Sequence, residues 1–415
     1  MSVIVPCFLP NEKSIIHSTI DHICDNVQYP ADVVLHVVYN TPKLLPAEEA
    51  KLAALHGTVH GALKRMVIVH KVEGSRSKAE NLNHVIGTAL DPLESRYVAI
   101  FDADHHPDAD CLLTLMAFML QTDADCVQGS TYIRNRSWSD HHGRGGGCGV
   151  LGQMLAVLLA NVINAEFFVT YFVWMPAIER IGRTGFFGGS VALWRYHSLV
   201  NYTFSTELQT EDIECSARAV LAREKIRFCP EARSGELSPA NLGSFWRQRV
   251  RWATGWDQVS IKYFDAIAAS QLSFREKAGL YYVFPGRWIA CTIGLVAGIA
   301  HPIIALVYAG SPWGPWLNGE LLVGALFYAV TTLMIMSQML YHEKWTSWPF
   351  AGPEPALGFT LTRYFSVDRP DSIASGLDSI IPPDVEAPVA ASTDPPERAV
   401  GSKPPNGNGA YHQML

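Results

Sequence analysis

Six short runs of β-branched and apolar residues recur through the first 275 positions, at 2–6, 33–39, 66–72, 97–101, 126–130 and 226–230. Stretches of helical periodicity lie between several of them, for example 14–26 and 77–90. Strands this apolar need cover on both faces, which predicts an α/β fold with a mostly parallel sheet wrapped by helices. No GxGxxG follows the first run, which argues against a dinucleotide-dependent oxidoreductase.

Charged residues make up only 17% of the 415 positions, against ~25% in ordinary soluble domains. The deficit is concentrated. Residues 288–309 and 321–341 contain no Asp, Glu, Lys or Arg, and each exceeds the ~20 residues that cross a bilayer. Arg275, Lys277 and Arg287 precede this pair and Lys344 follows it, while Tyr308, Trp313 and Trp316 lie at the connecting segment. The pattern predicts a multi-pass membrane region at 280–345 with both flanks, and hence residues 1–275, on the cytosolic side.

Other classes drop out. A net charge of -7 excludes an overall electrostatic hold on nucleic acid. The eight cysteines show no CxxC spacing, so free thiols in a reducing compartment are expected. Residues 2–6 already read as a strand, so no signal peptide is expected ahead of them. Residues 370–415 are rich in Pro, Ser, Ala and Gly and are expected to form a disordered tail.

Three motifs carry chemistry. The run 98–101 ends in Asp102-Ala103-Asp104, two carboxylates at a strand end that suit a hard divalent cation, Mg²⁺ or Mn²⁺, together with substrate phosphates. His105 and His106 follow and are expected to be solvated loop residues. Thr210-Glu211-Asp212 opens a helix expected to reach Ala222, with Thr210 as its cap. An acid there complements the helix dipole or serves as a general base. Gln248-Arg249-Val250-Arg251-Trp252 places Gln248 and Arg251 on one helical face, where a cation can hold a diphosphate. Trp252 offers a flat surface on which a sugar can stack.

In this order, on an α/β domain followed by apolar runs, the motifs resemble the processive QxxRW branch of the family-2 glycosyltransferases, which includes cellulose, chitin and hyaluronan synthases. The likeness extends over residues 2–257 and the apolar pair. Val3-Ile4-Val5-Pro6 with Asn11-Glu12 resembles the family's first strand and nucleotide-side loop. The segment from Lys78 to Asn83 is similar to the KAGALN segment beside the donor, and Phe186-Phe187-Gly188-Gly189-Ser190 to the acceptor-side loop. Glycines there are expected to let a glycan approach the backbone.

The resemblance implies a GT-A-type, Rossmann-like nucleotide-sugar-binding domain at 1–275, followed by a transmembrane hairpin. It assigns Asp102 and Asp104 to metal and diphosphate, Asp212 with Glu211 to catalysis, and Gln248 and Arg251 to the leaving diphosphate. Pro6, Asn11, Glu12, Lys78 and Asn83 fall on the donor side, and Gly188, Gly189, Ser190 and Trp252 on the acceptor side. The expected partners are a UDP-sugar, a glycan acceptor and a lipid bilayer, and secretion through only two spans would need oligomerisation or further segments. The apolar stretch 150–180 lies between two motifs that must share one site, so it is expected as a buried or interface-lying helix, like 240–262.

Two departures stand out. The Asp-Asp pair common after the second strand is replaced by Tyr39-Asn40-Thr41, leaving Asn40 and Glu73 as candidates to meet the nucleotide. The other is that the first strand-like run begins at residue 2 with no apolar span before it, so either the start is truncated or the C-terminal hairpin is expected to suffice. The glycine-rich 141–147 lacks the GK[ST] ending of a P-loop and is read as a flexible connector. The alternatives are non-processive transfer to a lipid or short glycan, and a catalytically dead membrane scaffold.

Overall fold

The computed structural model describes residues 1–92, 95–141, 149–183 and 185–308, with a few isolated positions up to 326. The chain divides into residues 1–367 and 368–415. The second unit, residues 142–147, Trp313, Trp316 and all of 321–341 except Val323 and Leu326 lie outside the described residues.

Among the described residues nine strands form one sheet: β1 (Ser2–Phe8), β2 (Val34–Asn40), β3 (Thr58–His60), β4 (Arg65–Lys71), β5 (Tyr97–Ile100), β6 (His106–Pro107), β7 (Cys126–Ile133), β8 (Ala192–Arg195) and β9 (Ile226–Glu236). Their order is β3-β4-β2-β1-β5-β8-β7-β9-β6. The helices are α1 (Leu9–Glu12), α2 (Ile16–Asn26), α3 (Pro46–Ala53), α4 (Lys78–Thr88), α5 (Cys111–Thr122), α6 (Val150–Phe168), α7 (Met175–Gly182), α8 (Tyr196–Leu199), α9 (Glu211–Leu221), α10 (Leu242–Ala269), α11 (Phe274–Val283) and α12 (Gly286–Val307).

All six expected strands form, but the sheet is mixed rather than mostly parallel. β4, β2, β1 and β5 run parallel, then β8 enters antiparallel to both β5 and β7. β8 has only four residues behind a glycine-containing loop, too short to stand out by periodicity. Side-chain alternation divides the core. Val3, Val5, Leu35 and Val37 face α2 and α5, whereas Ile4, Val38, Val98 and Ile100 face α4 and α9.

The strand register places the site. β1 and β2 pair from Ser2↔Val34 to Phe8↔Asn40, and β1 meets β5 at Ile4↔Ile100. The carboxyl ends of three parallel strands therefore converge, the usual position for a ligand crevice in such sheets. Residues 150–182 form one continuous helical run, in which α6 passes through a π-helical turn, Val169–Trp174, into α7. Leu159, Ile163 and Phe167 pack inward near Ile133, Phe245 and Trp252. Val150, Leu151, Met154, Leu155, Leu158 and Val162 remain exposed.

The second expected interface helix, 240–262, is α10 and extends to Ala269. Helix α12 covers most of the first apolar run, with Ile289, Ile293, Val296, Leu306 and Val307 exposed. Among the described residues, the run Val150–Gly182 is long and apolar enough to cross a membrane, and it is about one third buried.

Candidate active site

Lys78, Asp102 and Asp212 from three of the sequence motifs meet at the loop carrying Gly189 and Ser190. Lys78 opens α4, whose cap is the Ser77 side chain accepting from the Glu80 amide at 3.2 Å. A cation at a helix N-terminus opposes the dipole, and here it is compensated by an ion pair with Asp102. The Lys78 Nζ also donates to the Gly189 carbonyl at 2.7 Å. Burial would lower the ammonium's pKa, but the charges of Asp102, Glu211 and Asp212 outweigh it and raise it.

Asp102 and Asp104 follow β5. The Asp102 amide donates to Ser190 Oγ at 2.9 Å, which fixes the turn to the glycine loop. Burial pushes Asp104 up to about 6; Glu236 and Asp102 add to this, while His105 opposes it. His105 is buried, contrary to the expectation of a solvated loop residue. Its Nδ1 hydrogen-bonds Ser234 Oγ at 3.0 Å and its Nε2 lies 3.2 Å from Glu236. His106 is half-buried and stacks on His22, with ring centroids 4.3 Å apart. Both are drawn inward because β6 pairs with β9 directly after the acidic turn.

Asp212 sits in the first turn of α9. Helix dipole and backbone would favour its charged form, and its Oδ1 does accept from the Ile213 amide at 2.8 Å. Burial wins, helped by the neighbouring Glu211, and pushes the carboxyl up to about 7. Gly189 has φ +90°, and a Cβ there would meet Asp212 Oδ2 at 2.5 Å. The space left by this glycine is therefore filled by the carboxylate rather than left for a glycan, whereas at Gly188 the nearest atom to such a Cβ is Gln128 Oε1 at 3.7 Å. Thr210 occupies the cap position but makes no capping bond. Its hydroxyl is buried without a partner, pressed by α10, where a Cβ on Gly255 would meet Thr210 Cγ2 at 2.4 Å.

That contact carries α10, and with it Gln248–Trp252, against the start of α9. Gln248 is half-buried and Arg251 exposed. Arg249 turns inward, paired with Glu166 at 2.8 Å and stacked over Trp252 at 4.4 Å from the ring centre.

The nucleotide-side candidates divide into framework and open positions. Pro6 is buried in β1 and Asn11 is exposed beyond it. Burial pushes Glu12 up to about 7, with Asp104 and Asp102 adding to the effect. Its Oε2 accepts from the Phe8 amide at 2.6 Å. Asn40, 2% exposed, donates to the Ser75 carbonyl at 2.9 Å and accepts from Asn81 Nδ2 at 2.9 Å. Asn83 clamps the Phe204 backbone through both its amide atoms, at 2.9 and 2.7 Å. Glu73 projects into solvent on the loop after β4.

Sequence reasoning missed Gln128, Glu236 and Ser234, which surround these groups from β7 and β9. The available signal was an amide side chain inside a strand, directly after Cys126 and Val127.

A mannosyltransferase from Pyrobaculum calidifontis, solved in complex with GDP-Man and Mn²⁺, is 18% identical, with 81% of this chain and 83% of that one covered and a TM-score of 0.48. Staphylococcus aureus TarS in complex with UDP-GlcNAc is 14% identical, with 66% and 68% covered and a TM-score of 0.42. Among curated sequences, a poly-β-1,6-N-acetyl-D-glucosamine synthase of Staphylococcus epidermidis is 27% identical over 221 residues, which is 51% of this chain and 48% of the relative. The protein of the same name in Staphylococcus aureus strain COL is 28% identical over 199 residues, 46% of this chain and 42% of the relative. The chain spans about half the length of the curated relatives it matches. The model described as glycosyltransferase like family 2 matches residues 1–255, more than half of the chain, and the protein therefore belongs to that family.

Proposed function

We propose that this enzyme is a membrane-bound, inverting glycosyltransferase that extends a β-linked polysaccharide from a UDP-sugar on the cytosolic side. The observation that carries the reading is the gathering of Lys78, Asp102 and Asp212 on the single loop Phe187–Ser190. The relatives' name, a polysaccharide synthase, supports the product class.

The chemistry is a single displacement. An acceptor hydroxyl oxygen attacks the anomeric carbon, the bond to the diphosphate oxygen breaks, and the hydroxyl proton passes to Asp212. A carboxylate held near pH 7 is suited to take that proton. Lys78 and Arg251 supply positive charge for the departing diphosphate.

The acidic turn suits a divalent cation. Asp102 and Asp104 offer hard oxygen donors, and the crowding of Asp104 by Glu236 and Asp102 is what such an ion would relieve. Among the described residues no cluster of three or more His, Cys, Asp or Glu surrounds a point, so diphosphate oxygens and water would complete the shell. Mg²⁺ or Mn²⁺ at Asp104 and Asp102 would neutralise the leaving group.

The test is a screen of nucleotide sugars with membranes that contain the full chain. Turnover with a UDP-sugar is expected, lost on EDTA treatment and in Asp104→Asn. Trp252→Ala should shorten the products, since a stacked ring contributes on the order of 1 kcal/mol to holding the growing end. Single-sugar products would instead establish non-processive transfer, and no turnover with any donor would leave the scaffold reading.

A further inference from the structure

Gln128 stands in the middle of β7 and is 1% exposed. A primary amide carries two donors and an acceptor into the core, and all of them need partners. Gln128 spends them on the glycine loop. Its Oε1 accepts from the Gly188 amide at 2.8 Å, and its Nε2 donates to the Ser190 carbonyl at 2.8 Å and to its neighbour Gly129 at 3.0 Å.

From the opposite side, the buried Ser216 of α9 holds the same loop. Its hydroxyl accepts from the Phe187 amide at 2.7 Å and lies within bonding range of the Phe187 carbonyl at 3.1 Å and the Asp212 carbonyl at 2.8 Å. Two buried side chains thus pin the backbone at Phe187, Gly188 and Ser190. Between them Gly189 receives Lys78 on its carbonyl and faces the Asp212 carboxylate, while Ser190 receives the Asp102 amide.

We infer that Gln128, backed by Ser216, is the positioning device of the transfer step. It fixes the loop on which Lys78, Asp102 and Asp212 converge, without touching substrate. The inference rests on the reading of Asp212 as the base. The amide is specified by its two-sided polarity. Glutamate would keep an acceptor for Gly188 but offer no N–H to Ser190, and its charge would face two carbonyl oxygens. Methionine would keep the length and offer neither.

The experiment uses the full chain in membranes with the UDP-sugar that the wild type turns over. Gln128→Glu, Gln128→Met and Ser216→Ala are compared by kcat, donor KM, the ratio of donor hydrolysis to transfer, and a thermal melt. Misplacing a base by a fraction of an ångström is costly to the chemical step, so kcat per folded molecule should fall by roughly tenfold or more in both Gln128 variants. Donor KM should change by less than about threefold, a split that marks loss of an interaction made in the transition state. The hydrolysis-to-transfer ratio should rise.

Activity lost only in proportion to the unfolded fraction, with kcat, KM and the ratio of the folded remainder unchanged, overturns the inference. If neither Gln128 variant folds, Ser216→Ala decides: the same split supports the inference and wild-type kinetics overturn it. Failure of the wild type to turn over any donor overturns the underlying reading and the inference with it, whereas wild-type turnover with indifferent variants overturns the inference alone.

Discussion

At the scale of single residues, two opposed effects meet at Asp212. The first turn of α9 should stabilise a carboxylate, yet burial and the adjacent Glu211 push the group up to about 7. The consequence for stability follows by linkage. Between about pH 4 and 7 the folded protein keeps a proton that the unfolded chain has released, so the contribution from this group is full below about pH 4 and is lost as pH rises through 7. Asp212→Asn removes that loss. The variant should melt higher than the wild type at pH 8 and show no such advantage at pH 4, while transfer falls by ~10²-fold or more. Melting curves at the two pH values and a transfer assay at pH 8 check both parts. A variant less stable at pH 8 would mean that Asp212 is paired rather than strained. Wild-type transfer should in turn rise as pH increases through about 7, because the base works unprotonated.

At the scale of elements, the relation of α10 to α9 decides where Gln248–Trp252 lie with respect to Asp212. The two helices are latched twice. Gly255 closes on Thr210 near the motif, and further along Glu214 accepts from Tyr263 and from Lys262 at 3.1 Å. Glycine inside a helix ordinarily costs about 0.5–1 kcal/mol relative to alanine. Here the sign should reverse. A Cβ on Gly255 would meet Thr210 Cγ2 at 2.4 Å and Cβ at 2.8 Å, and overpacking of that kind costs about 1–3 kcal/mol. Gly255→Ala should lower Tm and reduce transfer together, as read by a thermal melt and a turnover assay. A raised Tm would show that α10 can move away from Thr210 without cost.

At the scale of the whole molecule, the exposed apolar surface calls for a partner. The outer faces of α6 and α12 are apolar, and the start of α12 is tied to α10 through Arg287 and Trp288, both bound to Asp257. If residues 288–309 cross a bilayer, the full chain should remain in the membrane pellet after carbonate washing, and complete release into the supernatant would count against a spanning segment. Alternating short runs of apolar residues were enough to announce the α/β domain, and six strands lie within two residues of their expected limits at their starts. The placement of Asp102 and Asp104 after a strand and of Asp212 at a helix start was legible because strand ends and helix starts leave local marks in a sequence. The antiparallel β8, the burial of His105 and the diversion of Asn40 and Asn83 into framework bonds were not legible. Each depends on partners far along the chain, such as Ser234 for His105, Asn81 for Asn40 and Phe204 for Asn83. Sequence alone thus determined which groups carry charge and where the strands begin. Only the tertiary structure decided which of those groups are desolvated and which loop joins them, because burial and hydrogen bonding are properties of packed neighbours rather than of residue order.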